Sequence, residues 1–317
     1  ELVSFIKKNN FLIFLIFFMP VLVLAETIID DYRKYDVTKT KFTLEKSAKD
    51  LRYPWALSFI DKTNVLISEK DGGLYKVDVL SGKKQKIKHN IPHIDYDGGG
   101  QGGLLDVNFN PSDGYTYFTY SHKSSKLTRS KQLSKKSSTA IARGRLIENE
   151  IKDFEILLIA KPEFLENRHY GSRIAIKGDD LFVSFGERGQ GMISQDPSKH
   201  PGSIVRIKTD GSIPHDNPHF SERMDWLPEI YLIGVRNPQG IAVSPHDDEI
   251  YFSSHGPRGG DHIGEVEFGS NYGWKDIAWG GREYYGLGIG DSPFKNKYKR
   301  PLISWVPSMG ISSIQFY

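Results

Sequence analysis

Several polar segments rich in glycine or proline carry side chains that could do chemistry. His169 lies in the segment RHYGSR, residues 168–173, directly before the strand-like residues 174–176. The pKa of an imidazole lies close to neutral pH, so a histidine at the mouth of a strand is suited to act as a general base. A single histidine more often has a structural or surface role, and the sequence alone leaves both interpretations open.

Gln101 lies in the run GGGQGGLLD, residues 98–106, where five glycines flank one amide. Such a run lets the backbone approach a ligand closely while the amide forms a hydrogen bond with it. No βαβ pattern surrounds the run and no helix follows it, which argues against a dinucleotide- or phosphate-binding loop. A flexible turn is the alternative.

Two further corners follow strand-like residues. Arg236 and Asn237 open the segment RNPQG after residues 230–235. The guanidinium of Arg236 could bind a carboxylate or stabilise a developing oxyanion. A structural salt bridge is the alternative. The segment HGPRGGD, residues 255–261, predicts a sharp corner whose free main-chain carbonyls could bind calcium. No EF-hand loop, zinc-ligand spacing or G-x-S-x-G segment is present, so those kinds of site are not indicated.

Short alternating runs separated by Asp-Gly turns must position these side chains. Examples are residues 65–67 and 74–77 around the turn at 71–73, and residues 115–120 after Asp113-Gly114. The period of two indicates antiparallel strands joined by tight connections. Many short strands favour a closed all-β architecture, and the recurrence favours a propeller with about 40–50 residues per blade over a sandwich or barrel.

Composition places limits on the function. The chain has 317 residues, 26% of them charged, a formal net charge of +3 and no cysteine. These values predict a soluble globular protein without disulfides, thiolate chemistry or a nucleic-acid partner. Residues 121–138 form a basic, serine-rich insert, which we interpret as a solvated hairpin loop, with contact to an anionic surface as the alternative.

The N-terminus has the layout of a secretory signal peptide, residues 1–25. Lys7 and Lys8 precede the apolar residues 11–24, and Ala25 offers a small residue at the cleavage site. We therefore expect a periplasmic or secreted protein with no stable membrane span after cleavage, and an uncleaved membrane anchor is the alternative. The chain begins with Glu1 and stops within a strand-like pattern, so we expect its C-terminal part to be incomplete.

The order of several motifs resembles one family, the soluble glucose/sorbosone dehydrogenases of the aldose sugar dehydrogenase type. The segments are LRYPWA (51–56), GQGGLLD (100–106), HYG (169–171), DGSIP with DNP (210–218), RNPQG (236–240), HGPRGGD (255–261), NYGW (271–274) and WVPS (305–308). The resemblance implies a six-bladed β-propeller over residues 26–317, C-terminally incomplete here, which uses pyrroloquinoline quinone (PQQ) and calcium.

The resemblance also implies roles for single residues. His169 would take the proton from the sugar C1 hydroxyl while hydride passes to PQQ, and Arg236 would stabilise the charge that builds on the quinone oxygen. Cofactor contacts would come from Gln101, His169, Arg236, Asn237 and Tyr284. The main-chain carbonyls of Gly256 and Pro257 would hold the active-site calcium.

Three departures from the family pattern stand out. Aldose-type members hold a second calcium with a glutamate after GGD and the tyrosine of NYGW. In this chain the tyrosine is Tyr272, but His262 stands in place of the glutamate. Histidine is a poor calcium ligand, so we do not expect this second calcium site. Glu187 stands where many members have aspartate. The family's C-terminal part, with basic residues for the PQQ carboxylates, lies beyond this chain.

The predicted activity is PQQ-dependent oxidation of aldose sugars at C1 to lactones, with electrons passed on to an unidentified acceptor. Two alternatives use the same scaffold: a carbohydrate-binding propeller without catalysis, and a calcium-dependent propeller lactonase. The joint presence of His169, Gln101 and Arg236 favours the dehydrogenase, because a binding module has no need of all three.

Overall fold

The computed structural model describes residues 46–124, 135–221 and 223–316, together with the backbone of residues 26–29. In these residues it contains seventeen β-strands and two short 3₁₀ segments, Gly191–Gln195 and Pro218–Phe220. The described part therefore contains no α-helix, in agreement with the all-β prediction. Nor does any described helix have the length and apolar character needed to cross a bilayer.

The strands form four antiparallel sheets, numbered here in chain order. The first sheet contains β2 (Pro54–Phe59), β3 (Asn64–Glu69), β4 (Leu74–Asp78) and β5 (Lys84–Lys86). The second contains β6 (Leu104–Asn110), β7 (Tyr115–Lys123), β8 (Ser137–Ile147) and β9 (Glu150–Ile159). The third contains β10 (Gly171–Lys177), β11 (Asp180–Phe185), β12 (Ser203–Lys208) and β13 (Ile230–Ile233). The fourth contains β14 (Pro238–Val243), β15 (Ile250–Ser254), β16 (Asp261–Glu265), β17 (Ile303–Val306) and β1 (Glu26–Ile29).

Apolar side chains fill the spaces between successive sheets. One buried cluster joins the first and second sheets through Leu66 and Phe118, a second joins the second and third through Ile141 and Val183, and a third joins the third and fourth around Phe252. Successive sheets packed face to face, each made of consecutive strands, form a β-propeller. The described residues supply four such sheets, so the predicted count of six blades stays a prediction.

The spacing of the sheets differs from the prediction of 40–50 residues per blade. The first strands begin at Pro54, Leu104, Gly171 and Pro238, so the two later intervals are longer. The long β8–β9 hairpin and the connections that follow β11 and β12 account for the extra residues. The predicted hairpins themselves are confirmed, including the β3–β4 and β14–β15 pairs.

The predicted loop of residues 121–138 is partly strand, so the stretch that could be a solvated loop is shorter than the sequence indicated. Strands β7 and β8 extend into it from both sides, and Ser121 pairs with Thr139 in a buried position. Residues 125–134, which contain two of its five lysines, lie outside the described residues, as do the predicted signal residues 1–25.

The topology brings the candidate segments to one end of the propeller. Strands β2, β6, β10 and β14 occupy the same place in their sheets, and neighbours among them are in contact. The second strand of a sheet, such as β3, β11 or β15, runs antiparallel to the first. The residues before a first strand therefore lie at the same end of the propeller as the residues after a second strand. We call this the upper end, and it carries Gln101, His169, Glu187, Arg236 and His255.

Candidate active site at the upper end of the propeller

His169 is held by its backbone in an unusual conformation. Its φ is +52°, in the left-handed region that non-glycine residues seldom adopt. Its N–H donates to Oε1 of Gln101 at 2.6 Å, and its carbonyl accepts from the N–H of Arg188 at 3.2 Å. The sequence-predicted amide and imidazole, 68 residues apart along the chain, are thus direct neighbours. A backbone outlier fixed from two sides is typical of a functional position.

The imidazole of His169 forms a dyad with Glu187, which follows β11. Nδ1 lies 2.5 Å from Oε1 of Glu187, and the other carboxylate oxygen, Oε2, accepts from the N–H of Gly191 at 2.5 Å. The carboxylate can only accept, so Nδ1 carries the proton and Nε2 keeps a free lone pair. Both side chains are buried, with Glu187 only 2% exposed.

Burial sets the protonation states of the dyad. Burial is the main cause that lowers the pKa of His169, aided by the charge of Arg236 and opposed by the bond to Glu187. Burial alone would raise the pKa of Glu187, but the bonds from His169 and Gly191 outweigh it and leave that pKa below its usual value. At neutral pH the dyad is therefore a neutral imidazole beside a carboxylate, which is the state a general base requires.

Arg188 fixes the chain segment that carries His169, and the sequence analysis did not single it out. Its guanidinium donates to the carbonyls of Arg168 at 3.0 Å and Ser137 at 2.8 Å, and also to that of Glu166. The same group stacks 3.7 Å from the centre of the Tyr170 ring. Its position next to Glu187 in the sequence was the available signal.

Gly186 shows how closely the segments that carry His169 and Glu187 approach each other. A Cβ atom at this position would lie 2.2 Å from the carbonyl oxygen of His169 and 2.9 Å from Oδ1 of Asn237. Only glycine lets β11 and the segment before β10 come this near to each other.

Arg236 and Asn237 reach the site from the segment before β14. Oδ1 of Asn237 accepts from the N–H of Gly171 at 3.1 Å, and the carbonyl of Arg236 accepts from the N–H of Glu187 at 2.8 Å. The Arg236 guanidinium lies 5.3 Å from the Trp274 ring and 6.0 Å from the ring of Tyr284, which is 66% exposed. The main chain of Arg236 and the amide of Asn237 thus lie beside the segments that carry His169 and Glu187, while the Arg236 side chain lines a separate small cavity with Trp274.

A cavity of about 230 Å³ opens between these segments. This volume approaches the lower end of small-molecule sites, about 300 Å³. Its lining combines amide groups, aromatic rings and one cation: Trp55, Lys70, Gln101, Leu105, Tyr170, Gly171, Asn237, Gln239 and His255. Lys70, which the sequence analysis missed, donates to the Gly100 carbonyl at 2.7 Å, and burial lowers the pKa of its amine.

The HGPRGGD corner folds around the buried carboxylate of Asp261. This carboxylate accepts the N–H groups of Gly256 at 2.7 Å, Met309 at 2.9 Å and Gly310 at 2.7 Å. The Gly256 carbonyl lies 3.2 Å from Nη1 of Arg236. Within the described residues no three His, Asp or Glu side chains gather as metal ligands, so a cation at this corner would depend on main-chain oxygens.

Tyr272 and His262 lie together below this corner. The Tyr272 hydroxyl donates to the carbonyl of Glu265 at 2.7 Å and accepts from its N–H at 2.9 Å. The rings of Tyr272 and His262 stack, with their centres 5.9 Å apart. Both hydrogen-bonding functions of the Tyr272 hydroxyl are thus taken up by the main chain.

Comparisons with known proteins place the chain among its relatives. The profile of the glucose / sorbosone dehydrogenase family matches residues 51–317. Aldose sugar dehydrogenase YliI of Escherichia coli K12 is 33% identical over 276 residues, 84% of this chain and 71% of that protein. Quinoprotein glucose dehydrogenase B of Acinetobacter calcoaceticus is 27% identical over 253 residues, 72% of this chain and 51% of that protein.

A solved structure of a sugar dehydrogenase also has a similar fold. The apo form of the soluble aldose sugar dehydrogenase from Escherichia coli superposes with a TM-score of 0.75 at 28% identity, over 92% of this chain and 78% of that one. The family profile covers most of the chain, and one curated relative exceeds 30% identity over most of its length. The chain therefore belongs to the glucose/sorbosone dehydrogenase family.

Proposed function

We propose that this protein oxidises aldose sugars at C1 to lactones, with PQQ as the hydride acceptor and His169 as the general base. The observation that carries the proposal is the His169–Glu187 dyad beside an amide- and aromatic-lined cavity, whose wall includes Gln101 and Tyr170, the direct neighbours of His169. Membership of a sugar dehydrogenase family supports the reaction class, and a relative named as a quinoprotein supports a quinone cofactor.

His169 moves the proton in this proposal. Nε2 takes the proton of the sugar C1 hydroxyl, and the imidazolium that forms is stabilised by the carboxylate of Glu187 at Nδ1. The sugar loses one proton and one hydride, and its C1 becomes the lactone carbonyl. PQQ, when bound, supplies the quinone that accepts the hydride.

The residues of the cavity fit a flat, anionic quinone. Gln101 and Asn237 offer amide groups, Lys70 offers a cation for a carboxylate, and Trp55 offers an aromatic face. The guanidinium of Arg236 would stabilise negative charge on a quinone oxygen. Tyr284 is exposed beside Arg236 and would pack on the cofactor.

Calcium would bind at the HGPRGGD corner through the carbonyls of Gly256 and Pro257. Carbonyl oxygens are suitable ligands for this ion, and the Pro257 carbonyl has no hydrogen-bond partner within the described residues. The ion would polarise the cofactor and orient it. Because the Gly256 carbonyl also lies near Nη1 of Arg236, calcium would share that oxygen with the guanidinium.

Reconstitution tests the proposal. Purified protein loaded with PQQ and calcium should reduce an artificial electron-accepting dye when aldoses are supplied, and the absorbance spectrum of PQQ should change on binding. No turnover of any aldose, together with no PQQ-induced absorbance change, would reject the proposal. The lactonase alternative requires side-chain carboxylates that converge on a metal, and the described residues contain no such cluster.

Two further features of the proposal concern the whole protein. We propose that residues 1–25 direct export to the periplasm or the exterior and that the complete propeller has six blades. The signal-peptide pattern of residues 1–25 supports the export, and the six-bladed architecture of the family supports the blade count. N-terminal sequencing of the exported protein should begin at Glu26, the first residue of β1.

A further inference from the structure

Three buried nitrogen atoms close to the site have no hydrogen-bond partner among the described residues. They are Nε of Arg236, Nε1 of Trp274 and Nε2 of His262. The three residues are 7%, 7% and 6% exposed. A buried polar atom without a partner is destabilising, and several at one place indicate a guest molecule.

All three residues line one small cavity beneath the HGPRGGD corner. Apart from them the walls are mostly apolar or glycine, including Ile277, Ala278 and Gly260. The free volume is about 10 Å³. This is close to the space that one water molecule needs, and too small for a sugar or a cofactor.

The hydrogen-bonding character of each nitrogen is fixed by chemistry. Nε of Arg236 and Nε1 of Trp274 always carry a proton and can only donate. Nδ1 of His262 lies 2.9 Å from the Gly260 carbonyl, which can only accept, so Nδ1 carries the ring proton. Nε2 of His262 is therefore an acceptor, and burial, which lowers the pKa of this ring, keeps it so at neutral pH.

The cavity thus presents two donors and one acceptor. A cation does not fit, because two N–H groups, one of them on a guanidinium, would point at it. An anion does not fit, because the lone pair of His262 would face it. We propose that one ordered water molecule occupies the cavity, accepts from Arg236 and Trp274, and donates to His262.

This water gives His262 a positioning role. It would join the guanidinium of Arg236 to β16, on which His262 lies, and so fix the side chain that is proposed to face the quinone. It also means that His262 and Tyr272 do not form a second calcium site, since the Tyr272 hydroxyl is bonded to Glu265 and His262 faces two donors.

A crystal structure of the full chain tests the proposal directly. One crystal is soaked in bromide and one in manganese, which report anions and divalent cations by their anomalous scattering. We expect in both a single peak without anomalous signal, at about 2.7–3.2 Å from all three nitrogens. An empty cavity, or a bromide or manganese peak there, would overturn the proposal.

The tautomer of His262 gives a second, independent test in solution. In ¹⁵N-labelled protein at pH 7 we expect the spectrum of a neutral ring protonated at Nδ1, assigned by its loss in His262→Phe. We also expect a water cross-peak at the Trp274 indole N–H, assigned with Trp274→Phe. A ring protonated at Nε2, or an indole without contact to water, would contradict the inference.

Discussion

Replacing Glu187 by glutamine separates the general-base mechanism from a purely structural dyad. The wild-type carboxylate accepts at both oxygens, from Nδ1 of His169 and from the N–H of Gly191. Glutamine has only one accepting oxygen. If that oxygen stays with Gly191, the amide NH₂ faces Nδ1, which forces the ring proton onto Nε2 and removes the basic lone pair.

The size of the effect follows from the lost base. General-base catalysis contributes roughly 10²–10⁴-fold, so we expect kcat to fall by this factor, or about 3–5 kcal/mol in activation free energy. The substitution leaves the Gln101 and Asn237 contacts to the cofactor cavity in place, so the affinity for PQQ should change little. The control is Glu187→Asp, which keeps both accepting oxygens and retreats by one methylene, and which should retain more activity than the amide.

The assay is dye reduction at saturating PQQ and calcium over a range of aldose concentrations, measured between pH 5 and 8. The pKa of His169 lies below its usual value, so wild-type kcat/KM should hold above pH 6.5 and fall as the pH drops through this lowered pKa. In Glu187→Asp the acid limb should remain. Activity of Glu187→Gln within threefold of wild type would refute the base role assigned to the dyad.

Three further predictions follow from the same contacts. Gly186→Ala should lower both activity and melting temperature, because its Cβ would meet the His169 carbonyl, whereas Gly288→Ala, with no atom within 4 Å, should change neither. Arg188→Met should destabilise the protein by about 3–5 kcal/mol, because three carbonyls lose a buried charged donor. The control Arg168→Met, at an exposed position, should lower the free energy of unfolding far less. Urea unfolding measures both values. The melting temperature should fall as the pH drops from 7 to 5. His169, His255 and His262 have lowered pKa values in the folded protein, so the unfolded chain binds more protons than the folded one below about pH 6.5. A melting temperature that rises over this range would contradict the prediction.

The strands and their turns could be predicted well from the sequence. Alternation with Asp-Gly corners located β3, β4, β7, β11 and β12, because a strand with one or both faces buried restricts every second residue. The lengths of the later blades were not predictable from this local pattern. They depend on connections such as the one between β12 and β13, where the Asn217 amide donates to the carbonyls of Arg206 and Pro228 and so ties the two ends of the connection together.

The candidate site was predictable only in part. His169, Gln101 and Arg236 stood out because their segments combine polar chemistry with glycine or proline at strand ends. Lys70 and Arg188 did not, since a cation after a strand is ordinary until the fold shows that it lines a cavity, as Lys70 does, or is buried among carbonyls, as Arg188 is. The partnership of Glu187 with His169 likewise needs the pairing of β10 with β11.

Single-turnover reduction of bound PQQ by an aldose tests the central claim most directly. The wild-type protein and His169→Ala are each loaded with PQQ and calcium, mixed with the sugar, and followed through the absorbance of the cofactor. We expect both to bind PQQ, and the alanine variant to reduce it at least about 10²-fold more slowly. Equal rates of reduction in the two proteins would contradict the assignment of His169 as the base.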